Sequence, residues 1–166
     1  MLGFYEKFPK TLHGAFTFLS STSLRKLERA LIEAFVKLNR ESMVLEDVAF
    51  PTMPHCEAIF EFGIAEGNNF NYLNREEEQR ILTAIRKAPL EVMDFICDIR
   101  YHKEENGKKA ALRFDYYMLR FRFSQSLSEM LVFHEKGPRY VTPEDLGGLI
   151  IRRVNEKSGK RILNIL

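Results

Sequence analysis

Four histidines and two cysteines are the side chains best suited to metal binding or nucleophilic attack in this sequence, and their spacing sets them apart. His13, His55, His102 and His134 are far from one another along the chain. Zinc sites recur as His pairs one helical turn apart or as Cys pairs at short spacing, and neither pattern occurs here. His55 and Cys56 are adjacent, so on a strand they would point to opposite faces. Cys97 sits between Phe95 and Ile99 in an alternating apolar run, the setting of a buried, inert thiol. Cys56 and Cys97 together read as free thiols in a reducing compartment rather than a disulfide framework. No G-x-S-x-G elbow, G-x-G-x-x-G turn or phosphate loop is present. The sequence therefore assigns no catalytic residue, no metal ligand and no cofactor, and points away from an enzyme.

Three other groupings carry a functional reading. Val92, Ile96, Tyr117, Leu119 and Phe121 would form an apolar patch on the outer surface of a sheet, the kind of surface through which two copies of a chain pair. A non-enzymatic interaction protein, built as a homodimer through this patch, is the leading expectation. Lys108, Lys109, Arg113, Arg120 and Arg122 interleave with Phe114, Tyr116, Phe121 and Phe123. Stacking rings beside cations on a sheet are what single-strand binders use, so a nucleic-acid-binding module is the first alternative. Against it, Phe114 and Tyr116 fall on the core face in the favoured register, and the glycine-containing RNA-recognition motif is absent. The second alternative is a small-ligand or enzymatic pocket between sheet and helices, to which His134, Asp94 and Arg120 would give polar lining.

The elements that position these residues follow from periodicity. From Met93 to Tyr101, apolar residues alternate with Asp94, Asp98 and Arg100, a strand with one buried face. Asn106-Gly107 is the preferred pair for a two-residue type I′ turn. That turn sets Tyr101 opposite Leu112, Ile99 opposite Phe114, Cys97 opposite Tyr116 and Phe95 opposite Met118. Past Met118 the alternation changes phase, as a bulge near Leu119 would make it. Helices are expected over 24–39, with Leu24, Leu27, Leu31, Phe35 and Leu38 on one face, and over 75–88, capped by Asn74. A third begins at Thr142-Pro143-Glu144-Asp145 and ends at Ser158-Gly159. Gly147-Gly148 inside it points to close helix–sheet packing. Further strands are expected at 15–19, 44–49, 56–64, 130–135 and 162–165.

The 166 residues make one domain, an α+β fold with an antiparallel sheet of five or six strands and three helices mainly on one face. Charge is spread unevenly: residues 1–40 carry +4, 41–98 carry −8 and 99–166 carry +6. No stretch approaches a membrane span and no signal peptide is visible, so a cytoplasmic location is expected. Few glutamines and many Lys, Glu and Arg residues lean toward a thermophilic source.

Overall fold

The apolar stripe at 24–38 folds as expected. In the computed structural model, which describes residues 1–49, 54–125 and 127–166, α1 spans Leu24–Leu38, and its Ser23 cap accepts a hydrogen bond from the Lys26 amide. The second helix, α2, spans Arg75–Lys87 behind the Asn74 cap. The third, α3, spans Pro143–Ser158; Thr142 and Asp145 cap each other reciprocally, and Gly159 closes it with a left-handed φ of 76°. Phe35 of α1 shows where the core lies. Its ring stacks on Phe62 at 4.0 Å and meets Phe95 and Phe121 edge-on, so one α1 side chain touches three strands.

The fold is α+β, and the described residues form three α-helices and an antiparallel sheet of nine strands, more than the five or six expected. They are β1 (Gly14–Ser20), β2 (Ser42–Val44), β3 (Cys56–Glu66), β4 (Asn69–Tyr72), β5 (Val92–Glu105), β6 (Lys108–Ala111), β7 (Asp115–Arg122), β8 (Leu127–Lys136) and β9 (Leu163–Ile165). The order is β2-β3-β5-β7-β8-β1-β9, with β4 added to β3 and β6 to β5. Three features account for the extra strands. β4 alternates as Asn-Phe-Asn-Tyr over only four residues, the return arm of the central hairpin is split into β6 and β7, and the rims β2 and β9 are three residues each. The strand expected over 44–49 stops at Val44. Leu45–Asp47 turns instead into a 3₁₀ segment that buries Leu45 and Val48, three residues apart.

The expected hairpin register holds only at its tip. Asn106 and Gly107 have φ of 52° and 76°, as a type I′ turn needs. Glu105 stands opposite Lys108 and His102 opposite Ala111. Then the pairing slips by one residue across 112–114, and Ile99 faces Asp115, Cys97 faces Tyr117, Phe95 faces Leu119 and Met93 faces Phe121. The irregularity expected near Leu119 thus lies several residues earlier. A one-residue slip exchanges the faces of every later side chain. Tyr117, Leu119 and Phe121 enter the helix-covered core, while Tyr116, Met118 and Arg120 move to the other side.

That other side is crossed by the N-terminal segment. β3 and β5 part after the Phe62–Cys97 pair, and Gly3 fills the gap. Its N–H donates to the Ala65 carbonyl, and its own carbonyl accepts from the Asp94 N–H. With φ of 86° and Val92 O 2.9 Å from where a Cβ would sit, this position requires glycine.

Candidate polyanion-binding face

Two of the molecule's polar clusters are closed on themselves. The first fastens the N-terminal strap. Asp94, fully buried, receives Arg120 through Nε at 2.7 Å and through a terminal nitrogen at 2.8 Å. Arg120 also donates to the Tyr5 carbonyl and lies against the Phe4 and Phe8 rings. Asp94 accepts the Tyr5 N–H in addition. A bidentate pair with its remaining valences filled has no capacity left for a ligand.

The second cluster surrounds Asp115, also fully buried. One carboxylate oxygen accepts from the Arg139 N–H at 2.7 Å and lies 2.8 Å from His134 Nε2. The other accepts from the Tyr101 hydroxyl and from the Tyr140 N–H. Arg139 Nε approaches His134 Nδ1 at 3.3 Å, and the Tyr117 hydroxyl donates to the Val141 carbonyl. Burial, followed by the Asp115 carboxylate, pushes the phenols of Tyr101 and Tyr117 far above their ordinary range, so both keep their proton and donate it, and the Tyr101 oxygen also accepts from the Val141 N–H at 3.0 Å. This network fixes the loop from Gly137 to Thr142 that leads into α3. Tyr101, Asp115, Tyr117, His134 and Arg139 line none of the five grooves found among the described residues.

The sequence-derived groupings therefore rearrange. Of the five patch residues, Tyr117, Leu119 and Phe121 are core, and only Val92 and Ile96 lie half-buried on the face away from the helices. The patch does not exist as one surface, because the register slip divides it. Asp94, Arg120 and His134 do not line a common cavity: the first two pin the strap, and the third bonds Asp115. Among the basic residues, Arg120 is spent on Asp94, Arg122 meets Glu129 at 3.5 Å and Lys109 meets Glu57 at 3.3 Å. Lys108 and Arg113 are exposed along the hairpin return. The slip does bring Phe114 and Tyr116 outside, with the Lys136 ammonium 4.6 Å from the Tyr116 ring. Charge at this platform is mixed: Arg113 and Lys136 line the groove beside the two rings, and acids stand next to it. Asp98 is paired across from Tyr116, and its carboxyl is pushed up to about 6 by burial and then by Glu61 and Glu135.

Cations gather instead on the helix layer. α1 packs between α2 and α3, and its N-terminal half meets the C-terminal ends of both. Three adjoining grooves of about 360, 250 and 410 Å³ share lining residues from α1. Arg25, Lys26, Arg29 and Arg86 border the first, and Lys157 and Lys160 join Lys26 and Arg29 in the second. Among the described residues Glu33, 3.2 Å from Arg29, is the one acid lining any of the three. The first turn of α1 contains no acid and two cations, against the preference set by the helix dipole. By contrast, α2 and α3 open with acids and end in Arg or Lys, as the dipole favours. Leu82 and Ile85 of α2 give the first groove an apolar floor.

Beneath this face lies Glu28, fully buried on α1. One of its oxygens accepts from the Leu90 N–H at 2.8 Å, and the other has no partner among the described residues. Burial outweighs that single bond and pushes the carboxyl up to about 7. Cys97, also fully buried, has its thiol pushed well up by the same effect, so it is not a thiolate near neutral pH. Among the described residues there is no group of three or more His, Cys, Asp or Glu placed to hold a metal ion, and no helix long and apolar enough to cross a membrane.

No protein-family model matches this chain, and neither a curated protein nor a solved structure does.

Proposed function

We propose that this chain is a non-enzymatic binding protein whose partner is nucleic acid, held through its phosphates on the helix layer. The carrying observation is the convergence of Arg25, Lys26, Arg29, Arg86, Lys157 and Lys160 around three adjoining grooves that contain a single, already paired acid. Guanidinium groups match phosphate oxygens in pairs, and clustered cations release counterions when they meet a polyanion. This reading keeps the nucleic-acid alternative drawn from the sequence but moves it from the hairpin to the helices.

Fluorescence anisotropy with short single-stranded and duplex oligonucleotides, over a salt series, tests it. The logarithm of affinity falls linearly with the logarithm of salt, with a slope of about −0.7 per phosphate contacted on a single strand and about −0.9 on a duplex. The triple variant Arg25→Glu, Arg29→Glu, Arg86→Glu loses binding by more than tenfold, while Lys108→Glu with Arg113→Glu changes it little. Absence of binding at low salt, or indifference to the triple change, overturns the proposal.

A second copy of the chain is the competing partner. Ile96, Met118 and Phe133 stand directly opposite one another across β5, β7 and β8, half-buried on the face away from the helices. Light scattering at low and high salt decides this. A salt-independent dimer that Met118→Glu dissolves would support pairing through that row, and a monomer at all concentrations would end it.

A further inference from the structure

Glu28 sits on α1 between Arg25 and Arg29, two residues that line the cationic grooves, and one of its buried oxygens has no partner among the described residues. Two contacts hold α1 to the connection between α2 and β5: Glu28 to the Leu90 N–H, and Arg25, one helical turn earlier, to the Lys87 carbonyl at 3.5 Å. Arg25 also lines the first and third grooves. A protonated carboxyl tolerates this position, because its charge is absent and Leu90 satisfies its carbonyl oxygen. A carboxylate does not, because a buried charge with one backbone donor needs a further one. On α1, Arg25 and Arg29 flank Glu28. Glu91 follows the Leu90 contact, and Arg86 and Lys87 end α2. All five are exposed, and none forms an ion pair with Glu28. Only Arg25 already reaches the same connection.

We infer that Glu28 is a proton-operated latch on the cationic face: when it loses its proton it draws Arg25 off the grooves, and the face loses one cation and gains one negative charge beneath it. This regulation rests on the polyanion reading, but the latch itself does not. Because the carboxyl is pushed up to about 7, the change falls close to neutral pH.

Two measurements on the full chain test it. In a ¹⁵N NMR titration from pH 5.5 to 8.5, the Leu90 amide and the Arg25 side-chain Nε shift together with a midpoint near 7, and both are flat in Glu28→Gln. An Arg25 signal that does not follow Leu90 overturns the latch, whether or not the protein binds nucleic acid. In anisotropy at fixed salt, oligonucleotide affinity of the native chain falls several-fold across the same range, while Glu28→Gln loses much less. Equal pH dependence in both proteins overturns control of the face even if Arg25 titrates. A chain that binds no oligonucleotide at any pH overturns the polyanion reading and control of the face with it, and leaves the latch to be decided by the NMR arm.

Discussion

Asp115 accepts three hydrogen bonds and meets a fourth partner, His134, with two oxygens, and this geometry sets the cost of replacing it. Asp115→Asn keeps one acceptor and turns an amide donor toward groups that themselves donate. The expected loss is about 3 kcal/mol, read as a lower urea midpoint with unchanged slope. An unaltered midpoint would show that the network does not hold the loop before α3. Glu28 behaves in the opposite sense to an ion-paired acid. Its native carboxyl titrates at about 7, above the ordinary 4.5, so between those values the folded chain keeps a proton that the unfolded chain has released. Stability then falls as pH rises through that window, by about 3 kcal/mol in all, and levels off above it. Melting curves of the native chain should decline from pH 5 to 7.5, and those of Glu28→Gln should lack that component. Neither residue stands out in the sequence. Glu28 reads as one of several charges on a helix face, and only packing against Leu90 shows that it is buried.

At the level of elements, the glycine pair in α3 separates packing from propensity. A Cβ at position 147 would overlap the Phe16 ring, whereas at 148 its nearest neighbour is a terminal nitrogen of Arg152 at 3.4 Å. Gly147→Ala should cost about 1–3 kcal/mol through overpacking. Gly148→Ala should gain up to about 1 kcal/mol through helix propensity. Paired thermal melts check both, and equal effects would refute the assignment. Close helix–sheet packing was legible from Gly147-Gly148, as were three helices, their caps and the turn at Asn106-Gly107, because each depends on neighbours within a few residues. The slip at 112–114 was not legible. It brings Asp115 onto the helix side, where Tyr101, His134 and the 139–140 amides meet it, and those partners come from three distant segments. Sequence alternation in β7 supports either phase, since both faces of that strand carry large apolar side chains.

For the whole molecule, the N-terminal strap and the cationic face lie on opposite sides of the sheet. Arg120→Met should leave Asp94 buried without its cation and cost about 3–5 kcal/mol. Loss of amide protection at Gly3 and Tyr5 by hydrogen exchange would accompany it, and full retention would contradict the pinning role. The cationic face escapes sequence reading for a reason of scale: Arg25, Arg86 and Lys160 belong to three helix ends that are neighbours only after folding. Folding order follows from the same long-range architecture. Leu2 pairs with Glu66, Tyr5 is held by Asp94 and Arg120, and β1 pairs with β8 more than 100 residues later. During synthesis residues 2–5 and β1 leave the ribosome before their partners and wait for Glu66, Asp94, Arg120 and β8. Loop closure of that length is slow, so a segment made well before its partners is among the last to be placed.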